Sequence, residues 1–132
     1  MQQTLIIVKP EAVEKGLTGE FLKRFEEKGL RITKLKMMRI SEDVARDHYK
    51  HHADKDFFPK LLKAITAGCV VVAVLEGEHA IEHVRNLIGE TDPLKASPGS
   101  IRGDFAVKMP YNMIHASDKP DTAADEIERF FE

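Results

Sequence analysis

The chain has 132 residues, 42% of them hydrophobic and 32% charged, enough for one domain, residues 1–132, that buries roughly two thirds of its unfolded surface. Twenty basic and 22 acidic residues leave a net charge of −2, so no global field calls for a membrane or a specific nucleic acid, and any anion must be met by a local cluster of Lys and Arg. The single cysteine, Cys69, excludes an intrachain disulfide and a cysteine zinc cage, and no apolar run approaches a signal peptide or the ~20 residues of a membrane span, so a cytoplasmic protein is expected.

In chain order, residues 4–8 (Thr-Leu-Ile-Ile-Val) form a β-branched apolar run that reads as a strand buried on both faces, with Lys9 emerging at its C-terminal end before Pro10. Thr18 is placed to cap a helix whose Phe21, Leu22 and Phe25 face the core and which Gly29 stops. Residues 30–40 read as a second strand, and a change of parity near Lys34 predicts a bulge. Ser41, followed by Glu42 and Asp43, predicts a helix with Val44, Ala45, His48 and Tyr49 on its apolar side. A further helix, capped by Asp56 with Pro59 in its first turn, carries Leu61, Leu62 and Ile65 and ends at Gly68.

Residues 69–75 (Cys-Val-Val-Val-Ala-Val-Leu) give the clearest central strand. A helix over 79–88 follows, with Ala80, Val84, Leu87 and Ile88 inward, Arg85 on the flank and Gly89 as the stop. Residues 90–111 show no period and read as a long loop carrying Thr91 and Arg102; loops of that length inside a compact domain are usually functional. A short strand around His115 and a helix opened near Asp118 or Asp121, packing Ile127, Phe130 and Phe131, complete the chain. The order β-α-β-(αα)-β-α-β-α predicts an α/β (α+β) sandwich, and the ferredoxin-like split βαβ, a four-stranded antiparallel sheet covered by helices, is the economical solution.

His115 lies in Tyr111-Asn-Met-Ile-His-Ala-Ser-Asp118, and strand alternation would put His115 and Ser117 on one side with Met113. An imidazole there can be a core histidine, a surface residue or a nucleophile, since the neutral ring exists near physiological pH. Other motifs say less. His79-Ala-Ile-Glu-His83 matches the H-x-x-E-H pattern of inverted zinc peptidases, but helical spacing turns both histidines away from the apolar stripe. His48, His51 and His52 read as a solvated histidine-rich turn, and Arg102-Gly103-Asp104 spells an adhesion tripeptide of little weight without a secretion signal. Neither the P-loop nor the dinucleotide glycine pattern occurs.

Lys9-Pro10 after the opening strand, Gly16-Leu-Thr-Gly19, His48-Tyr49, Phe57-Phe58, Arg85, Gly89-Glu-Thr-Asp-Pro93, Ser100-Ile-Arg-Gly-Asp-Phe105 and Asn112-Met-Ile-His-Ala-Ser-Asp118 together resemble the nucleoside diphosphate kinases, in the same order and over essentially the whole chain. The resemblance implies a ferredoxin-like fold and ping-pong transfer of the γ-phosphate of a nucleoside triphosphate, typically ATP, to a nucleoside diphosphate through His115 as nucleophile. It implies that Lys9 and Asn112 meet the ribose hydroxyls, that Arg85, Thr91 and Arg102 hold the phosphates, and that Tyr49 and Lys9 lie close to the transferred group. Phe57 would stack on the base with Met109 opposite, Glu126 would orient His115 through its second ring nitrogen, and Ser117 would support that contact. Mg²⁺ would ride on the nucleotide phosphates, near Asp118, rather than in a protein cage. A homo-oligomer, hexamer before tetramer, is implied by the same resemblance.

The chain departs from the family pattern at Glu11-Ala12, where Asp-Gly is commoner, at Ala67-Gly68-Cys69, at Ala116 and at Tyr111, none of them a catalytic position. It lacks the longer C-terminal tail of many eukaryotic members, so a bacterial or archaeal source is expected. Two other classes compete with the kinase: a non-catalytic ferredoxin-like binding module, which has no use for His115, Arg85 and Arg102 together, and a zinc hydrolase, which requires a stoichiometric metal.

Overall fold

The computed structural model describes residues 1–131. Its sheet has the order β2-β3-β1-β4, every neighbouring pair antiparallel. β1 (Gln2–Val8) lies inside the sheet, paired along its whole length with β3 (Cys69–Gly77) and at its C-terminal end with β4 (Ile114–Ala116). β2 (Arg31–Arg39) forms the far edge beyond β3. β1 and β2 therefore run parallel with β3 inserted between them, which is the split βαβ the element order predicts.

Alternation along β1 explains why the sheet has a core on each side. Ile6 and Val8 join Phe21, Phe25, Val84 and Ile88 on one face, whereas Leu5 and Ile7 meet Ile65, Val70, Val72 and Phe130 on the other. The first face is covered by α2 (Thr18–Glu27) and α5 (Ala80–Ile88). The second is covered by α3 (Glu42–His48), α4 (Phe58–Ile65) and α7 (Pro120–Phe131). The run 5–8 is fully buried because helices occupy both faces.

The predicted bulge is present, as a register shift between Ile32 and Lys34 where β2 pairs with β3. Ser41 caps α3, its hydroxyl accepting from the Val44 amide. Other boundaries differ. Thr18 is the first residue of α2, whose N-cap is Leu17 without a side-chain bond. Phe57, not Asp56, precedes α4, and that helix ends at Ile65 before Gly68. A five-residue helix, α1 (Pro10–Glu14), begins directly after β1, with proline at a position that needs no donor.

The stretch 90–111 also holds α6 (Ile101–Phe105), which carries Arg102. Ser100 opens it by accepting the Gly103 amide at 3.0 Å. A Cβ on Gly103 would lie 1.9 Å from the Ser97 carbonyl oxygen, so only glycine fits at this turn. Among the described residues no helix is long and apolar enough to cross a membrane.

Candidate active site

β4 is three residues long, and its pairing with β1 (Ile7 opposite His115) sends Ile114 and Ala116 into the first core and His115 to the other side. Met113 does not share that side, contrary to simple alternation. Its φ of 73° takes it out of the strand, and it packs with Ile114 and Ala116. The Ile114 amide bonds back to the Asn112 carbonyl at 2.9 Å, so residues 112–114 form a γ-turn of the strained positive-φ kind. Ser117, just past the strand, does return to the side of His115.

α7 delivers Glu126 beneath the imidazole. Glu126 Oε2 lies 2.9 Å from His115 Nε2, and Oε1 accepts from Ser117 Oγ at 2.6 Å. Burial opposes the charge on Glu126, but the hydrogen bonds from His115 and Ser117 outweigh it and bring the carboxyl below its ordinary range. A carboxylate only accepts, so the proton sits on Nε2 and Nδ1 keeps its lone pair. Ser117 is fully buried and is itself tied to the backbone of Leu5.

Lys9 leaves the end of β1 and is almost wholly buried. Its ammonium donates to the Pro110 carbonyl and to Asn112 Oδ1 at 2.9 Å. Burial lowers its pKa to about 8; Glu11 opposes that fall and Arg102 adds to it. Arg102 donates to the carbonyls of Asn112, Gly89 and Ile114, and burial, with Arg85 nearby, lowers its guanidinium to about 10. Arg85, on the flank of α5, donates to the Ala116 carbonyl at 3.2 Å. Asn112 Nδ2 reaches the Thr91 carbonyl at 3.0 Å, and burial raises the Tyr49 hydroxyl far above its ordinary range.

These groups open onto one cleft of about 1110 Å³, lined by Lys9, Tyr49, Phe57, Arg85, Thr91, Arg102, Met109, Asn112, His115, Asp118 and Glu126. Every site residue implied by the resemblance lines it except Ser117, which stands behind Glu126. Phe57 and Met109 are partly exposed apolar side chains in its lining. The family model of nucleoside diphosphate kinase matches residues 2–132. The chain belongs to the nucleoside diphosphate kinase family.

Relatives and solved structures agree with that assignment. The nucleoside diphosphate kinase of Nocardia farcinica is 52% identical over 131 residues, covering 98% of this chain and 94% of its own. The apo crystal structure of the enzyme from Encephalitozoon cuniculi superposes with a TM-score of 0.98 at 37% identity, over 99% of this chain and 89% of that one. The halophilic nucleoside diphosphate kinase of Halobacterium salinarum, solved in complex with CDP, gives a TM-score of 0.97 at 44% identity, over 99% and 88%.

Sequence reasoning missed three residues. His48 is not part of a solvated turn: it is buried, its ring centroid 4.5 Å from that of His115 at 77°, and burial, with the His115 ring beside it, lowers its pKa to about 2. The sequence places it both on the apolar side of α3 and in a histidine-rich turn, and the structure bears out the first placement. Arg129, one helical turn after Glu126, donates to His48 Nδ1 at 3.0 Å and pairs with Asp47 and Asp125. Glu11, on α1, reaches the backbone of Met113.

The zinc-peptidase pattern dissolves. His79 is exposed at the start of α5 with a φ of 51°, and neither it nor His83 lines the cleft. The adhesion tripeptide is likewise used internally, since Arg102 is buried and Asp104 pairs with Arg24 at 2.9 Å.

Proposed function

We propose that this member of the family transfers the γ-phosphate of a nucleoside triphosphate, typically ATP, to a nucleoside diphosphate through a phosphohistidine on His115, within one domain spanning residues 1–132. The observation that carries the reading is the His115 ring, anchored at Nε2 by Glu126 with Ser117 behind it and with no hydrogen bond at Nδ1 from the described residues, in a cleft bearing Lys9, Arg85 and Arg102.

In the first half-reaction the Nδ1 lone pair attacks the γ-phosphorus, the bond to the bridging oxygen breaks, and the diphosphate leaves with that electron pair. Positive charge develops on the ring, and the Glu126 carboxylate at Nε2 stabilises it. In the second half a terminal oxygen of another diphosphate attacks phosphorus and Nδ1 departs as a neutral ring nitrogen. Phosphoryl transfer needs in-line placement and charge neutralisation more than covalent assistance. Arg85, Arg102 and Thr91 take the phosphates, and guanidiniums match phosphate oxygens bidentately. Lys9 and Asn112 take the ribose hydroxyls, Lys9 and Tyr49 approach the transferred group, and Phe57 and Met109 hold the base. Stacking on Phe57 suits any nucleobase, and the CDP bound by the Halobacterium relative supports a diphosphate acceptor.

Mg²⁺ would enter on the triphosphate and would supply neutralisation of its charge there. Among the described residues the one cluster of potential ligands is His48, His115 and Glu126, nitrogen-rich and flanked by Arg129, unlike the oxygen set magnesium prefers. Asp118, an exposed carboxylate in the lining of the cleft, would be the side chain to meet the ion.

The protein acts in the cytoplasm as a homo-oligomer, hexamer before tetramer. Self-association is supported by β2, an edge strand whose Leu35 and Met37 are 52% and 63% exposed. Initial-rate kinetics test the whole reading: parallel double-reciprocal lines for ATP against a diphosphate acceptor are expected, and intersecting lines would refute a covalent intermediate.

A further inference from the structure

Among the buried ionisable groups, Glu11 has no part in the chemistry above. It sits in the first turn of α1 with its side chain only 13% exposed. Its Oε2 accepts the Met113 amide at 3.1 Å and lies 3.8 Å from Lys9 Nζ. Its other oxygen is buried, with no hydrogen-bond partner among the described residues.

The peptide it holds is the strained one. Met113 is the centre of the γ-turn, two residues before His115, and its carbonyl accepts the Lys9 amide at 2.9 Å. Both polar groups of Met113 are thus bound to the corner where β1 passes into α1. A turn with positive φ at a non-glycine residue persists only when its surroundings over-determine it.

Resting on the phosphohistidine reading, we propose that Glu11 is a positioning residue of the active site, one carboxylate fixing both the γ-turn that delivers His115 and the location of the Lys9 ammonium. Lys9 faces Glu11 from α1 and Arg102 from α6, with Tyr49, Arg85, His115 and Glu126 around the same cleft. Of these, Glu11 is the carboxylate nearest to Lys9, while Arg102 repels the ammonium. Glu11 therefore keeps Lys9 charged in a site that burial would otherwise neutralise. Loss of its charge lowers the pH at which Lys9 lets go of its proton.

The test is single-turnover labelling of the full-length protein by γ-labelled ATP across pH 6–10, for wild type, Glu11→Gln and Glu11→Ala, with thermal unfolding of each. Glutamine still offers an oxygen to the Met113 amide but carries no charge. The alkaline fall in its labelling rate is expected to move down by about one pH unit. Alanine also strands the amide, and labelling is expected to slow about 10- to 100-fold at every pH. Wild-type rates and an unmoved pH profile in both variants would overturn the proposal. So would equal slowing at all pH in both, in step with lost thermal stability, because that marks a purely structural carboxylate. A wild type that takes no label would overturn the phosphohistidine reading itself, and the Glu11 role with it.

Discussion

At the scale of residues, the site depends on where protons sit. Glu126 and His48 are held in opposite states by different means: the carboxylate charged by two hydrogen bonds, the imidazole neutral by burial. Neutral His48 accepts from Arg129, so it adds no charge against the ring that must take a phosphoryl group. Lys9 gives the clearest pH signature. Its folded pKa of about 8 lies below the ordinary lysine value, so it is charged below pH 8 and neutral above. We expect kcat/KM to fall on the alkaline side near pH 8 as Lys9 loses its charge. A profile flat from pH 7 to 10 would contradict the assignment of Lys9 to the nucleotide. His115, Lys9, Arg85 and Arg102 were legible because each is a reactive or cationic type inside a specific motif. His48 was ambiguous, since histidine suits both a core and a wet turn and only contact with Phe130 and His115 decides.

Among elements, the strands and long helices were legible because β-branched runs and apolar stripes have a period. α1 and α6 were not, since five residues make little more than one turn and leave no stripe to detect. The γ-turn was equally hidden, because strict alternation was assumed at Met113, and its positive φ is imposed by partners a hundred positions away in sequence. α6 nonetheless sets the position of Arg102, with Gly103 packed against the Ser97 carbonyl. Gly103→Ala is expected to cost about 1–3 kcal/mol in a urea melt. It should also raise the KM for nucleotide by displacing Arg102. Unchanged stability and KM would show that the turn can yield.

The whole molecule gathers its cleft from both ends of the chain: Lys9 at the end of β1, His115 on β4 and Glu126 on α7 meet because β1 lies between β3 and β4. β2, at the opposite edge, is free of the chemistry and carries the exposed Leu35 and Met37. Leu35→Lys should lower the mass seen by light scattering while leaving the protomer folded. A wild-type particle of only 14.9 kDa at micromolar concentration would refute self-association. The central claim is the covalent intermediate on His115. The most direct measurement is incubation with γ-labelled ATP, separation of protein from nucleotide, and exposure of the labelled protein to mild acid and to alkali. The wild type should retain label that acid releases and alkali does not. Glu126→Ala should acquire it about 10- to 100-fold more slowly, the scale of losing an orienting partner. His115→Ala should take none, and label on that variant, or label on the wild type that survives acid, would contradict the account.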